Sequence, residues 1–243
     1  MVAIKTVNLT KDYGDVTAVN GVNLEVYEGE IFSLLGVNGA GKTTLVKMLS
    51  TILQPTSGEC FIYGKSVTQN ASEVKEIIDI SMQETAIAKN LTVQENIEFY
   101  AKLNGQSKEE VKETVKYIYS VFKLDKFANK QAKKLSGGWQ RKLSIALALA
   151  KKPKILFLDE PTLGLDVIAR RELWKTILSL KEKTTVLLTT HYMEEAEFLS
   201  DRIGVMKDGN LLFVGDKNSL YAHADAKTVE ESFIKIIEKG ELK

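Results

Sequence analysis

The stretch Gly36-Val37-Asn38-Gly39-Ala40-Gly41-Lys42-Thr43 decides the fold of this 243-residue chain. It follows the apolar run 31–35 and precedes apolar residues spaced as on a helix. A strand, a glycine loop and a helix in that order match the phosphate-binding pattern GxxxxGK[ST]. Gly36, Gly39 and Gly41 can take positive φ values without a Cβ clash, so successive backbone N–H groups can surround one anion.

Lys42 and Thr43 give this loop its expected chemistry. The lysine supplies a point charge for the outer phosphates, and the threonine hydroxyl is placed to ligate Mg²⁺ beside a helix N-terminus. A purely structural glycine turn does not require Lys-Thr directly after its last glycine. We therefore predict a nucleoside triphosphate site.

The composition limits the possible partners of the chain, its redox compartment and its number of domains. The formal net charge is +1, so no global basic field favours nucleic acid as a partner. Cys60 is the single cysteine, which excludes an internal disulfide and fits a reducing compartment. The longest apolar runs are too short to span a bilayer, so we expect a soluble chain. The length favours one large α/β domain with an insertion.

Carboxylates follow a second buried strand. The apolar run Lys154–Leu158 ends in Asp159 and Glu160, and parallel strands of doubly wound sheets place such side chains beside the phosphate loop. Asp159 is then placed to hold Mg²⁺ and Glu160 to polarise the attacking water. Gln83 and His191 also follow predicted strands, so both can converge on the same γ-phosphate, although a glutamine alone is more typical of a solvated strand end.

The central part of the chain changes to a helical pattern. Capping boxes at 92–95 and 107–110 begin two helices. Ser136-Gly137-Gly138 opens a third, where a hydroxyl and bare N–H groups form either a second anion site or a plain helix cap. Tyr13, in a turn-like setting, fits equally well as a stacking partner for a base or as a cover for a sheet edge.

These patterns give a map of the chain. We predict an α/β core with a β subdomain over 1–87 and 151–221, a helical subdomain over 88–150 and a C-terminal helix over 222–243. Within that map we expect strands at 4–9, 22–27, 60–63, 77–82, 154–158, 185–189, 203–206 and 211–214, and helices at 42–53 and 168–180.

Taken together, the motifs resemble those of the ATP-binding subunits of ABC transporters, over nearly the whole chain. The resemblance assigns a family role to each motif: A-loop, Tyr13; Walker A, Gly36–Thr43; Q-loop, Gln83; LSGGQ signature, Leu135–Gly138; Walker B, Ile155–Glu160; D-loop, Leu163–Asp166; switch histidine, His191.

The resemblance implies a P-loop NTPase (RecA-like) core with an antiparallel β subdomain and an inserted α-helical subdomain, binding ATP and Mg²⁺. It implies these ATP-binding residues: Tyr13, Gly36, Asn38, Gly39, Ala40, Gly41, Lys42, Thr43 and Thr44. It implies these catalytic residues: Lys42, Gln83, Glu160 and His191. It implies these metal ligands: Thr43, Gln83 and Asp159. It implies that Ser136, Gly137 and Gly138 act on ATP in trans, and that Asp166 belongs to the D-loop.

The partners implied are an integral membrane permease and a second ATPase, as a homodimer or heterodimer, on the cytoplasmic face of the cell membrane. The wording of 159–166 and 190–196 looks most like export-type (ABC-2) ATPases of the drug-resistance kind. Two positions depart from the family pattern: Trp139 replaces the signature glutamine, and Leu163-Gly164 opens the D-loop. The alternative is a non-transport ATPase of the superfamily that acts on nucleic acid or the ribosome. A chromosome or DNA-repair ATPase would need a long coiled-coil insertion, which this sequence lacks, and a translation-factor ATPase would carry two cassettes where this chain has one. The GTPase motif Asn-Lys-x-Asp is also missing.

Overall fold

Two β-sheets form the framework of the computed structural model, which describes residues 1–240. The antiparallel sheet has the order β2-β1-β4-β5, and the central sheet has the order β10-β9-β3-β8-β7-β6. All neighbours in the central sheet are parallel except β9 and β10. The strands are β1 (Val2–Tyr13), β2 (Val16–Tyr27), β3 (Ile31–Leu35), β4 (Ser57–Ile62), β5 (Lys65–Ser66), β6 (Ile78–Ser81), β7 (Ile155–Asp159), β8 (Thr185–Thr190), β9 (Arg202–Lys207) and β10 (Asn210–Gly215).

Helices cover both faces of the central sheet and fill the segment between β6 and β7. The described α-helices are α1 (Lys42–Leu49), α2 (Ala71–Ile77), α3 (Val93–Leu103), α4 (Lys108–Phe122), α5 (Gly137–Leu149), α6 (Val167–Leu178), α7 (Met193–Leu199), α8 (Lys217–Ala224) and α9 (Val229–Gly240). No helix among residues 1–240 is both long and apolar enough to cross a membrane.

Strand β7 shows why its sequence is continuously apolar. Ile155 and Phe157 pack in the cluster that contains α1 and the antiparallel sheet. Leu156 and Leu158 face the opposite cluster, built from α3 to α6. Because successive side chains of a strand point to opposite faces, a strand covered on both sides needs apolar residues at every position.

Several predicted bounds differ from the structure for local reasons. Strands β1 and β2 extend beyond 4–9 and 22–27, because bulges in their pairing interrupt the alternation by which strands are recognised. Helix α1 stops at Leu49 rather than 53, and Thr51 then takes a left-handed φ of +64°. The predicted C-terminal helix 222–243 is divided: α8 ends at Ala224, its C-cap Asp225 takes a φ of +50°, and α9 begins at Val229. Residues 241–243 lie outside the described residues.

Capping and one buried amide organise the helical segment. The predicted capping boxes of Thr92 and Ser107 are both present. Asn96 on α3 is fully buried, and its Nδ2 donates to the carbonyls of Ala88, Leu91 and Thr92 at 2.9–3.3 Å. Its Oδ1 accepts from the Ala88 N–H at 2.8 Å. A single side chain therefore satisfies the backbone of the loop before α3.

Asn96→Leu should lower the free energy of unfolding by about 2 to 4 kcal/mol, because buried carbonyls and an N–H lose their partners at roughly 1 to 3 kcal/mol each. Urea unfolding followed by circular dichroism measures this loss. Lys102→Ala, on an exposed face of the same helix, is the control and should change it by less than about 0.5 kcal/mol. Equal midpoints for the two variants would contradict the role of Asn96.

Candidate functional site

The loop between β3 and α1 surrounds a concave space, and its glycines serve two different purposes. Gly39 and Gly41 take φ values of +84° and +99° as predicted. Gly36 does not take a positive φ, so that part of the prediction is wrong. A Cβ on Gly36 would lie 2.4 Å from the Met206 carbonyl oxygen. Gly36 is therefore required for close backbone approach rather than for its φ.

Lys42 points back into this loop. Its Nζ donates to the carbonyls of Gly36 at 2.7 Å and Val37 at 3.1 Å. The same Nζ lies 3.4 Å from Oε1 of Glu160, and both side chains are more than nine-tenths buried. A buried ammonium held at the loop in this way is available to a phosphate oxygen.

Asp159 at the end of β7 is completely buried and held by two hydroxyls. Thr43 Oγ1 donates to the carboxylate at 3.0–3.1 Å, and Thr189 Oγ1 of β8 donates at 2.6 Å. The predicted pair Thr43 and Asp159 therefore meets, although 116 residues separate its members.

Glu160 has a strained backbone and a directed side chain. Its φ is +47°, in the left-handed region that non-glycine residues rarely adopt. Its N–H donates to Thr189 Oγ1 at 3.0 Å, which helps to hold this conformation. Its Oε2 lies 2.7 Å from Nδ1 of His191. Strain of this kind is characteristic of functional positions.

Lys42, Thr43, Glu160 and His191 line one cleft of ≈350 Å³, whereas the buried Asp159 lies behind Thr43 and is not part of its lining. Gln83 also lines it, as predicted. Tyr13 does not: it lies at the end of β1, 50% exposed, with Lys11 Nζ 5.3 Å from its ring centroid. The described residues that line the cleft are Ala18, Asn38, Gly39, Ala40, Gly41, Lys42, Thr43, Thr44, Gln83, Glu160, Leu163 and His191.

The signature residues line another cavity. Ser136 and Gly138, at the start of α5, share a cavity of ≈300 Å³ with Asp166. Ser136 occupies the N-cap position, yet its hydroxyl makes no capping hydrogen bond. Asp166 caps α6 by accepting from the N–H groups of Ile168 and Ala169. Within one chain, the Ser136 hydroxyl and the cleft around Lys42 are therefore separate.

Trp139 packs sideways, as its position in the first turn of α5 predicts. Its ring meets that of Phe127 edge-on at 4.7 Å. Lys126 and Lys142 place their ammonium groups 4.6 and 4.4 Å from the indole centroid. Trp139 is therefore a packing residue of the helical segment.

Arg141 is a site residue that the sequence reasoning missed. From α5 it donates to the carbonyls of Asp159 at 2.7 Å and Pro161 at 2.9 Å. A third nitrogen donates to Gln83 O at 3.2 Å and also to Met82 O. Burial lowers the pKa of the guanidinium to about 10, so it stays protonated at neutral pH. The one signal for Arg141 in the sequence is that a charged residue stands at the start of a run of apolar residues. That signal has no fixed spacing to a motif, so it does not identify a site residue.

Comparisons with known proteins agree with this geometry. The family model described as ABC transporter matches residues 19–163. The linearmycin resistance ATP-binding protein LnrL of Bacillus subtilis (strain 168) is 36% identical over 223 residues, which are 91% of this chain and 72% of LnrL. The phospholipid-transporting ATPase ABCA3 of Homo sapiens is 43% identical over 201 residues, 83% of this chain but 12% of ABCA3. This chain thus spans a small part of that relative.

A solved structure of an ABC transporter cassette has a similar fold. The dimeric structure of MJ0796, a bacterial ABC transporter cassette, is 30% identical, has a TM-score of 0.78 and covers 88% of this chain and 98% of its own. The chain belongs to the ABC transporter family. The predicted fold class, a P-loop NTPase core with the subdomains of this family, is confirmed.

Replacement of Arg141 tests its structural link. Arg141→Met should lower the free energy of unfolding by about 2 to 4 kcal/mol, because charged hydrogen bonds to buried carbonyls contribute roughly 1.5 to 3 kcal/mol each and are not additive. Denaturant unfolding measures it, with the exposed Arg171→Met as the matched control. Unchanged stability in Arg141→Met would show that other donors satisfy these carbonyls.

Proposed function

We propose that this chain uses the cleft around Lys42 and Glu160 to hydrolyse ATP with Mg²⁺, and that the reaction drives export through a separate membrane permease. The observation that carries the proposal is the convergence of Lys42, Glu160 and His191 on one cleft, where the Glu160 carboxylate lies 3.4 Å from Lys42 Nζ and 2.7 Å from His191 Nδ1. Cation, carboxylate and imidazole from three distant segments fit γ-phosphate transfer to water better than simple nucleotide binding.

The residues present fit a magnesium ion. Thr43 and Asp159 bring a hydroxyl and a carboxylate within 3.1 Å, and such oxygen donors are the ligands that Mg²⁺ prefers. Gln83 lines the same cleft and would add an amide oxygen. Magnesium often takes one or two protein ligands, with waters and phosphate oxygens completing its shell. When bound, it neutralises charge on the β- and γ-phosphates.

Each polar side chain then has a role in hydrolysis. The N–H groups of the loop and Lys42 hold the phosphates. Glu160 accepts a proton from the attacking water as the bond between that water and the γ-phosphorus forms and the bond to the ADP oxygen breaks. His191, hydrogen-bonded to Glu160, orients the carboxylate. Tyr13 would stack on the adenine after approach of the β1–β2 turn.

A second ATPase subunit completes this site in our proposal. The hydroxyl of Ser136 and the N–H groups of Gly137 and Gly138 lie outside the ATP cleft of their own chain. Head-to-tail pairing would place them on the γ-phosphate of a partner, as a homodimer or heterodimer. ATP binding would close this pair and hydrolysis would reopen it. MJ0796, a related cassette, is described as dimeric.

The transport role is inferred from relatives. LnrL is named a resistance ATP-binding protein, which supports an export system of the drug-resistance type. In such a system, the permease chains form the passage and this chain lies on the cytoplasmic face of the membrane. Isolation of the integral membrane protein that copurifies with this chain from gently solubilised membranes tests the assignment. Consistent recovery of ribosomes or DNA in its place would contradict it.

Glu160→Gln should bind ATP and lower the hydrolysis rate by roughly 10² to 10⁴-fold, because a positioned general base is lost. Steady-state phosphate release and nucleotide titration measure the two effects. ATP should also shift this variant from monomer to dimer on a sizing column. Glu194→Gln, exposed on α7, is the control and should hydrolyse at the normal rate. Near-full hydrolysis by Glu160→Gln would exclude Glu160 as the base.

Two neighbouring substitutions test the signature. Trp139→Gln should change the rate of ATP hydrolysis by less than about tenfold, since the indole packs on Phe127 and the phosphate-binding groups are unchanged.

Gly138→Asp should abolish ATP hydrolysis and spare ATP binding by the monomer. A Cβ there would already lie 3.1 Å from that of Ala169, and the carboxylate would repel a phosphate. Normal turnover in Gly138→Asp would mean that the segment is only the start of a helix.

A further inference from the structure

We propose that a phosphate-bearing anion binds a second site, the basic cavity between α4, α5 and α6. This cavity has a volume of ≈580 Å³ and shares no lining residue with the ATP cleft. Its volume lies within the range of small-molecule sites. Its basic lining residues are Lys123, Lys126, Lys142, Lys175 and Lys183.

The lysines come from separate elements rather than from one helix face, and all of them except the buried Lys142 are exposed to solvent. Lys142 belongs to α5 and Lys175 to α6, whereas Lys123 is the C-cap of α4. Lys126 lies in a short 3₁₀ helix, and Lys183 follows α6. The whole chain has 33 basic and 32 acidic side chains, so five lysines against one lining carboxylate is a local concentration of charge. Such a concavity raises the local concentration of anions.

Little in the described part of the chain neutralises these charges. The single carboxylate in the lining is Glu172, whose Oε2 lies 2.6 Å from Lys142 Nζ. The hydrogen bond from Lys142 holds the pKa of Glu172 below its usual range. Among residues 1–240, no ion pair is formed by Lys123, Lys126, Lys175 or Lys183. Mutual repulsion of these ammonium groups is relieved when an anion enters.

The chemistry of the cavity suits phosphate. Ammonium groups bind phosphate oxygens as point charges and can do so from several directions at once. Every basic residue in the lining is a lysine. Free organic phosphates and lipid headgroups share this chemistry.

The basic cavity also adjoins the signature cavity. Trp139, Lys142 and Glu172 line both. An anion in the basic cavity competes with Glu172 for Lys142 and draws the ammonium groups of Lys126 and Lys142 away from the indole face. Trp139 is therefore a reporter of occupancy, and the start of α5 responds to it.

Pyrophosphate titration by calorimetry at constant ionic strength tests the proposal on the full chain. The background is Lys42→Ala, so that the lysine of the ATP cleft contributes nothing. In this background, the triple variant K126Q/K175Q/K183Q should bind at least tenfold more weakly. The matched control K108Q/K112Q/K116Q removes the same charge from the exposed face of α4 and should bind as the background does. Saturable change in Trp139 fluorescence, lost in Trp139→Phe, is the second readout.

The outcomes separate the alternatives. Equal affinities in all three proteins, an equal loss in both triple variants, or a fluorescence change that never saturates would overturn the site. Cosedimentation with phosphatidylcholine vesicles, with and without phosphatidic acid, distinguishes the source of the phosphate. Binding to pyrophosphate alone supports a free anion, and binding to the acidic vesicles that depends on Lys126, Lys175 and Lys183 supports a lipid headgroup. Absence of both contradicts the proposal. These proteins lack Lys42, so the result is independent of ATP hydrolysis.

Discussion

The hydrogen bonds to the buried carboxylate of Asp159 are the interactions on which the rest of the site depends. This carboxylate has no exposure to solvent, and hydroxyls from α1 and β8 hold it from both sides. A charge without water is tolerated only when hydrogen bonds surround it. Thr43 and Thr189 are therefore fixed relative to β7, and Thr189 in turn holds the N–H of Glu160. Phosphate loop, carboxylate and base are positioned by one cluster of short side chains.

Much of this fold could be predicted because its elements follow strong local rules. Strand β7 is apolar at every position because both faces are covered, and the capping boxes at Thr92 and Ser107 fix two helix starts. Prediction failed where tertiary contacts replace local signals. Register shifts interrupt the pairing of β1 with β2 and with it the alternation of apolar residues. Asp225 divides the C-terminal segment through a backbone conformation that its residue type does not demand.

In the site, too, residues with a local sequence signal could be predicted and residues set by tertiary contacts could not. That Lys42, Gln83, Glu160 and His191 share one cleft could be predicted because each follows a strand or the glycine loop, and the ends of parallel strands meet at one edge. Gly36 was recognised for the wrong reason, since the Met206 carbonyl that excludes a Cβ lies 170 positions away in sequence. Arg141 was missed altogether. Its partners are backbone carbonyls, which carry no sequence signature, so only the folded chain reveals what it contacts.

The position of Arg141 has a consequence for how the chain folds. Residues 141–149 of α5, and Ala150 after it, are buried, and the guanidinium joins that helix to the last residue of β7. A fragment limited to 88–150 would expose this apolar surface and leave the arginine without its acceptors. The helical subdomain is therefore not an autonomous folding unit. We therefore expect the first turns of α5 and the end of β7 to open as one cooperative unit, with amides that exchange with solvent together.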